Sequence, residues 1–277
     1  MRWETTRDAG ELAERAARRL LDAIAADPRA VLGLPTGTTP VGMYRRLVSA
    51  CTGRPGCFGE VSTFNLDEYV ELPPEHPASY RSFMERHLFT HVDLAPGRAR
   101  LPDGNAAAVR RESPALSLEE ALAVECLRYE RDIAAAGGLS LTVLGLGVNG
   151  HIAFNEPGSH HDSRTRVVEL AASTRRANAP HFPGGYVPRR AITMGIGTIL
   201  ESRSIVLLAS GVGKVEAVER LRAGKVSEAF PASALHRHAD VTVLVDRAAA
   251  GDERPWRRVR NRVRRRVGGL ARRLGPR

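Results

Sequence analysis

The chain has 277 residues, 43% of them hydrophobic, enough to bury a substantial core, and a formal charge of +10. No apolar run approaches the roughly eighteen residues of a membrane span, and the opening MRWETTRDAG lacks the hydrophobic core of a signal peptide, so a soluble cytoplasmic protein is expected. The charge is local: from Asp252 to Arg277 eleven arginines face Asp252 and Glu253, a balance of +9, so the body is near neutral and its pI is no argument for nucleic-acid binding.

Leu12, Ala16, Leu20 and Ile24 recur at helical spacing, predicting an amphipathic helix over 9–26. Ala30–Leu34 reads as a short buried strand running into GLPTGTTP, Gly33 to Pro40, and then a helix near Val41–Ala50. A strand, a loop of small and hydroxyl residues and a helix start can cradle a phosphate, because the first backbone amides of a helix are free and its dipole favours an anion. An ordinary tight connection is the competing reading, and the octapeptide alone does not choose. Without GK[ST], a nucleotide P-loop is not supported.

A second strand, Val61–Phe64, ends in Asn65, Asp67, Glu68 and Tyr69; neighbours on an extended chain point oppositely, so at most one of Asp67 and Glu68 faces a site there. His76–Phe89 reads as a loop and helix, and Ala106–Pro114 as a surface loop. Ser117 with Glu120 forms a capping box ahead of the helical stripe Leu118, Leu122, Cys126 and Ile133. Cys51, Cys57 and Cys126 include no CxxC pair, so neither a disulfide framework nor a zinc site is suggested, and Cys126 is expected in the core.

The centre of the chain is LSLTVLGLGVNGHIAFNEP, Leu139–Pro157, where a doubly buried strand empties into glycines and then into His151, Asn155 and Glu156. Chemistry is expected there, at the carboxyl end of a parallel strand. Gly145, Gly147 and Gly150 spell the dinucleotide fingerprint, but Pro157 and Gly158 leave no room for the helix that a pyrophosphate needs.

Arg164–Leu170 and Ala191–Met194 are further strand candidates, with Ser173–Pro188 between them as a lid or substrate-facing loop. A buried strand, Ser204–Ala209, leads into SGVGK, Ser210–Lys214, and a helix to about Ala223; Lys214 can serve the same anion as the first loop. Val241–Val245 is the last strand. In the tail, Trp256, Val259, Val263, Val267, Leu270 and Leu274 form an apolar stripe among arginines, suited to docking on the body or another subunit, or to an anionic membrane or nucleic acid. The organisation expected is one α/β domain over 1–250 and a basic amphipathic tail over 251–277.

With LPTGTTP, FNLDEYVELPPEHPASY, GLGVNGHIAFNEPGS, SRTR, STRRAN, MGIGTIL and SGVGK in order over about residues 30–245, the chain resembles the glucosamine-6-phosphate isomerase/deaminase family. The resemblance implies a modified Rossmann-like three-layer α/β sandwich with a mainly parallel central sheet. It implies conversion of glucosamine 6-phosphate and water to fructose 6-phosphate and ammonia, with no metal or organic cofactor. It carries the substrate phosphate onto Thr36, Gly37, Thr38 and Thr39, with Arg175 and Lys214 as cationic partners. It makes Asp67 the base at C2, ionised at neutral pH if its pKa is the ordinary value of about 3.9. His151 becomes the ring-opening residue, with Glu156 orienting and charge-stabilising it.

The chain also departs from the family's pattern. Asn149 stands where some members have an aspartate and others asparagine, and Thr38 replaces a common glycine, tolerable only if that residue needs no positive φ. Val168 and Glu169 stand where allosterically activated members have lysine and threonine, so activation by N-acetylglucosamine 6-phosphate is not expected. A homo-oligomer is compatible with the resemblance. The competing functions are a 6-phosphogluconolactonase-like hydrolase and a non-catalytic sugar-phosphate sensor.

Overall fold

A computed structural model of the protein describes residues 1–105 and 116–252. The expected loop at Ala106–Pro114 and the amphipathic stripe of the tail lie outside the described residues.

Seven strands form one parallel sheet: β1 (Arg2–Thr6), β2 (Val31–Leu34), β3 (Ser62–Asn65), β5 (Ala99–Arg100), β6 (Leu141–Gly145), β9 (Ser204–Ala209) and β10 (Val241–Asp246). Their order across the sheet is β1-β10-β9-β6-β2-β3-β5. Alternate residues of each strand feed opposite faces, and each face carries its own core. On one side Leu32, Leu141, Val143 and Leu208 pack with Leu12 and Leu20 of α1 (Ala9–Ala26) and with Met43 and Leu47 of α2 (Val41–Cys51). On the other, Phe64, Leu144, Leu207 and Val243 pack with Tyr129 and Ile133 of α4 (Leu118–Ala135) and with Val218 and Leu221 of α7 (Val215–Arg222). This is the three-layer sandwich expected, and the helix starts follow the local chemistry. Asp8 caps α1 through the Glu11 amide, and the Ser117–Glu120 capping box opens α4.

A smaller antiparallel sheet, in the order β4-β8-β7, comprises β4 (Asp67–Tyr69), β7 (Arg166–Glu169) and β8 (Arg190–Thr193). One residue, Leu66, separates β3 from β4. Its amide donates to the Leu34 carbonyl of the large sheet at 3.2 Å, and its carbonyl accepts from Met194 at 2.7 Å beside the small one. Leu66 therefore fixes the chain as it passes from one sheet to the other, immediately before Asp67.

At the level of the fold, three features are added to the sequence reading and one reading is corrected. The edge strand β1, the two-residue β5 and the separate small sheet were not legible. The correction concerns the cysteines: Cys51 and Cys57 are joined in a disulfide with a Cα–Cα distance of 5.7 Å. They lie six residues apart, and the glycine-rich turn from Thr52 to Gly56 folds Cys57 back against the end of α2. Cys126 is the free, buried cysteine expected.

Strand alternation separates the two carboxylates as anticipated. Glu68 turns away from the crevice and accepts backbone N–H groups from Tyr69, Tyr80 and Arg81, each at 2.9 Å, pinning the start of helix α3 (Tyr80–His87) to β4. Burial pushes its carboxyl up to about 7 against the pull of those amides. Glu68→Ala leaves these donors without their acceptor, and urea denaturation is expected to show a loss of about 3 kcal/mol. Glu68→Gln, which keeps an accepting oxygen, is expected to lose less.

Candidate active site

A cavity of about 650 Å³ opens at the carboxyl ends of the parallel strands. It lies between the loops that follow β2 and β6, adjacent strands from which the chain continues in opposite directions across the sheet, the usual ligand position in an open α/β fold. The walls include Pro35–Pro40 after β2, Gly145–Asn149 and His151 around the end of β6, Asp67 and Tyr69 of β4, and Lys214 after β9. A second cavity of about 790 Å³ lies beyond Thr38 and Thr39, lined by Arg45, Arg46 and small residues of α1 and α2. It contains no carboxylate or imidazole, so the acid-base chemistry belongs to the first.

Thr36, Gly37, Thr38 and Thr39 all line the first cavity, ahead of α2. The left-handed backbone falls on Gly37, with φ of 98°, while Glu71 and Ala153 are the only non-glycine residues of positive φ among the described residues. Thr38 is thus accommodated without strain. Lys214 closes a short 3-10 turn, Val212–Lys214, and burial lowers its pKa.

Gly147 allows the close approach on which His151 depends. A Cβ at Gly147 would lie 2.4 Å from the imidazole, and the Gly147 amide donates to the His151 carbonyl at 2.9 Å. Gly147 thus shapes a seat for an imidazole, and after Gly150 the chain turns through an Ile152–Asn155 bridge without opening a helix. The dinucleotide reading fails on that ground.

Behind His151 runs a chain of polar side chains. Asn149 Nδ2 donates to Glu156 Oε2 at 2.7 Å, which turns Asn149 Oδ1 toward His151 Nδ1, also at 2.7 Å. An amide oxygen only accepts, so Nδ1 carries the proton and Nε2 keeps the lone pair. Glu156 Oε2 stands 3.9 Å from Nδ1, near enough to act by charge, but Asn149 makes the orienting contact. Burial lowers the His151 pKa, Glu156 opposes the shift, and Lys214 adds to it.

Asp67 faces the cavity and is 6% exposed. Burial, reinforced by the neighbouring Glu68 carboxyl and only partly offset by the Phe154 amide, holds its pKa well above the ordinary carboxylate range. This corrects the expectation of an ordinary, freely ionised aspartate. Arg175 does not line the cavity, and its buried Nε has no hydrogen-bond partner. Among the described residues, no cluster of three or more His, Cys, Asp or Glu could hold a metal ion.

Several lining residues escaped the sequence reading. Tyr80 stacks on Phe154 with ring centroids 5.8 Å apart, and Phe182 meets Tyr69 edge-on at 5.1 Å. The pattern HPASY ahead of a helix carried the only signal for Tyr80. Phe182 anchors the Ser173–Pro188 segment to this aromatic wall, and Thr174, Asn178 and His181 of that segment line the cavity. The segment therefore faces the site, beginning within helix α5 (Ala172–Asn178) and continuing in two short 3-10 turns.

Residues 5–244 match the family described as glucosamine-6-phosphate isomerases/6-phosphogluconolactonase. Glucosamine-6-phosphate deaminase of Bacillus velezensis is 48% identical over 250 residues, covering 90% of this chain and 98% of the relative. The solved structure of a monomeric glucosamine-6-phosphate deaminase superposes with a TM-score of 0.83 at 46% identity, covering 91% of this chain and 99% of the other. The 6-phosphogluconolactonase of Trypanosoma brucei gives a TM-score of 0.72 at 20% identity, covering 91% and 98%, and shares the fold. With residues 5–244 matched and a near-full-length relative 48% identical, the chain belongs to the glucosamine-6-phosphate isomerase/6-phosphogluconolactonase family.

Proposed function

We propose that the protein converts glucosamine 6-phosphate and water to fructose 6-phosphate and ammonia. The observation that carries this reading is that Asp67, His151, Lys214 and the Thr36–Thr39 loop line one cavity, which unites a carbon base, a proton shuttle and an anion cradle. The near-full-length identity to named deaminases supports the same substrate. A cytoplasmic location belongs to the proposal, since substrate and product are phosphorylated metabolites.

The phosphate rests on the amides and hydroxyls of Thr36–Thr39 with the Lys214 ammonium opposite. Arg175 joins this clamp only if α5 moves, because it does not line the cavity. His151 Nε2 accepts the C1 hydroxyl proton and returns a proton to the ring oxygen, which opens the sugar to its aldehyde. The aldehyde acidifies the C2 proton. Asp67 removes that proton as the aldehyde oxygen takes one up to form an enolamine, then delivers it to C1 as the nitrogen gives one up to solvent, leaving a hydroxyl at C1 and an imine at C2. Water adds to the imine carbon and ammonia departs. Asp67 sits where its anion is poorly solvated, so a cationic amine or iminium beside it favours the ionised form when substrate binds.

Four outcomes are expected. Asp67→Asn abolishes coupled release of ammonia and fructose 6-phosphate, while isothermal titration still detects sugar phosphate binding; retained turnover would exclude Asp67 as the base. The acid limb of kcat/KM in the wild type lies well above the ordinary aspartate value of about 3.9, since the base must lose its proton and the site raises its pKa. Between those two values the folded protein holds a proton that the unfolded chain releases, so wild-type stability falls as pH rises. Thermal melts are expected to show the advantage of Asp67→Asn over wild type growing from pH 4 upward. Lys214→Met raises KM about tenfold to a hundredfold, the loss of one charge-assisted contact, in steady-state assays.

A further inference from the structure

We propose that Thr174 is a positioning residue that sets the proton-carrying state of His151 from across the cavity. The inference rests on the deaminase reading for its kinetic arm only. Thr174 is 9% exposed, sits in the first turn of α5 and lines the cavity. Its hydroxyl donates to Glu156 Oε1. The other oxygen of the same carboxylate, Oε2, accepts from Asn149 Nδ2 at 2.7 Å, and Asn149 Oδ1 accepts from His151 Nδ1 at 2.7 Å.

Each link in this series has one workable direction. A carboxylate can only accept, so Thr174 and the Asn149 amide group must both donate to Glu156. That fixes the Asn149 amide, which can then offer only its oxygen to the imidazole. The imidazole must carry its proton on Nδ1 and present Nε2 as the base. An aspartate in place of Asn149 would hold this tautomer by its own charge. An amide has two faces, one donating and one accepting, and here both are held: the His151 backbone N–H donates to Oδ1 at 3.1 Å, and Glu156 accepts from Nδ2. Glu156 fixes the donating face, and Thr174 holds Glu156 at its second oxygen.

The anchor comes from a different part of the chain. Asn149, His151 and Glu156 belong to one loop after β6, whereas Thr174 arrives on the Ser173–Pro188 segment, which Phe182 ties to the aromatic wall. The His151 tautomer thereby depends on that segment being seated over the cavity. Without it, Glu156 loses its second anchor, Asn149 Nδ2 loses a fixed acceptor, and the amide is held by the His151 backbone N–H alone, which donates to Oδ1 at 3.1 Å.

The test compares Thr174→Val, which keeps the shape and removes the donor, with Thr174→Ser, which keeps the donor. In the free proteins, nitrogen-15 NMR of the His151 ring is expected to give the Nδ1–H tautomer in wild type and in Thr174→Ser. Thr174→Val is expected to shift toward the Nε2–H tautomer, with an altered His151 titration. This arm needs no substrate turnover, so it separates failure of the proposal from failure of the deaminase reading. In the ammonia-release assay, Thr174→Val is expected to lower kcat/KM about tenfold to a hundredfold and to displace its pH profile, with Thr174→Ser within about threefold of wild type. A Thr174→Val protein with wild-type tautomer, titration and pH profile would overturn the proposal. So would equal losses in Val and Ser variants with an unmoved pH profile, which would mark Thr174 as a packing residue.

Discussion

Burial of the Asp67 carboxyl is the constraint on which the rest of the site depends. A carboxylate removed from water is unfavourable unless it is paired or hydrogen-bonded, and Asp67 has the Glu68 carboxyl beside it instead of a cation. Only a rigid frame can keep it there. Leu66 supplies that frame by bonding to both sheets through its own backbone, so that Asp67 cannot relax toward solvent without breaking a contact to Leu34 or Met194. Glu68 completes the arrangement from the other side by fastening α3 to β4.

The same logic governs His151, with opposite sign. Burial disfavours its charged form, which suits a group that must take up a proton and give it back near neutral pH. Glu156 tempers that shift from 3.9 Å, while Asn149 directs the ring without adding charge. A carboxylate in direct contact would hold the imidazolium more tightly and slow the return of the proton. Interposing an amide keeps the orientation and moderates the charge.

Much of this was legible because parallel strands buried on both faces read as short apolar runs. Ser204–Ala209 and the helix over 9–26 match their elements residue for residue, and the central Leu139–Leu144 run contains all but the last residue of β6. β1 was missed because RWETT is charged at an edge whose pairing lies far along the chain, with β10. The three-stranded sheet depends on pairing β4 with β8, more than a hundred residues later, which no local pattern encodes. The period-two argument correctly separated Asp67 from Glu68. It was silent on the Asp67 environment, since a pKa is set by neighbours in space. The Cys51–Cys57 link was obscured by its spacing, and Thr174 by its ordinary place within STRRAN.

Fold alone does not decide between the two activities the family contains, since a lactonase at 20% identity shares it. The decision falls on what the buried carboxyl is good for. Hydrolysis of a lactone attacks a carbonyl carbon with water and needs no proton taken from carbon. A carbon acid demands a base held close to one C–H bond and stripped of the water that would weaken it. Asp67 is almost fully buried, held by a backbone that spans two sheets, and raised in pKa, which makes its carboxylate a stronger base than an ordinary aspartate and suits it to the proposed proton removal. His151, oriented through an amide and only partly buried, is equipped for exchange between two sugar oxygens. In the proposed mechanism, two groups with pKa values driven in opposite directions on one cavity divide the work of an isomerisation, and the deamination follows from the amine on the carbon assigned to Asp67.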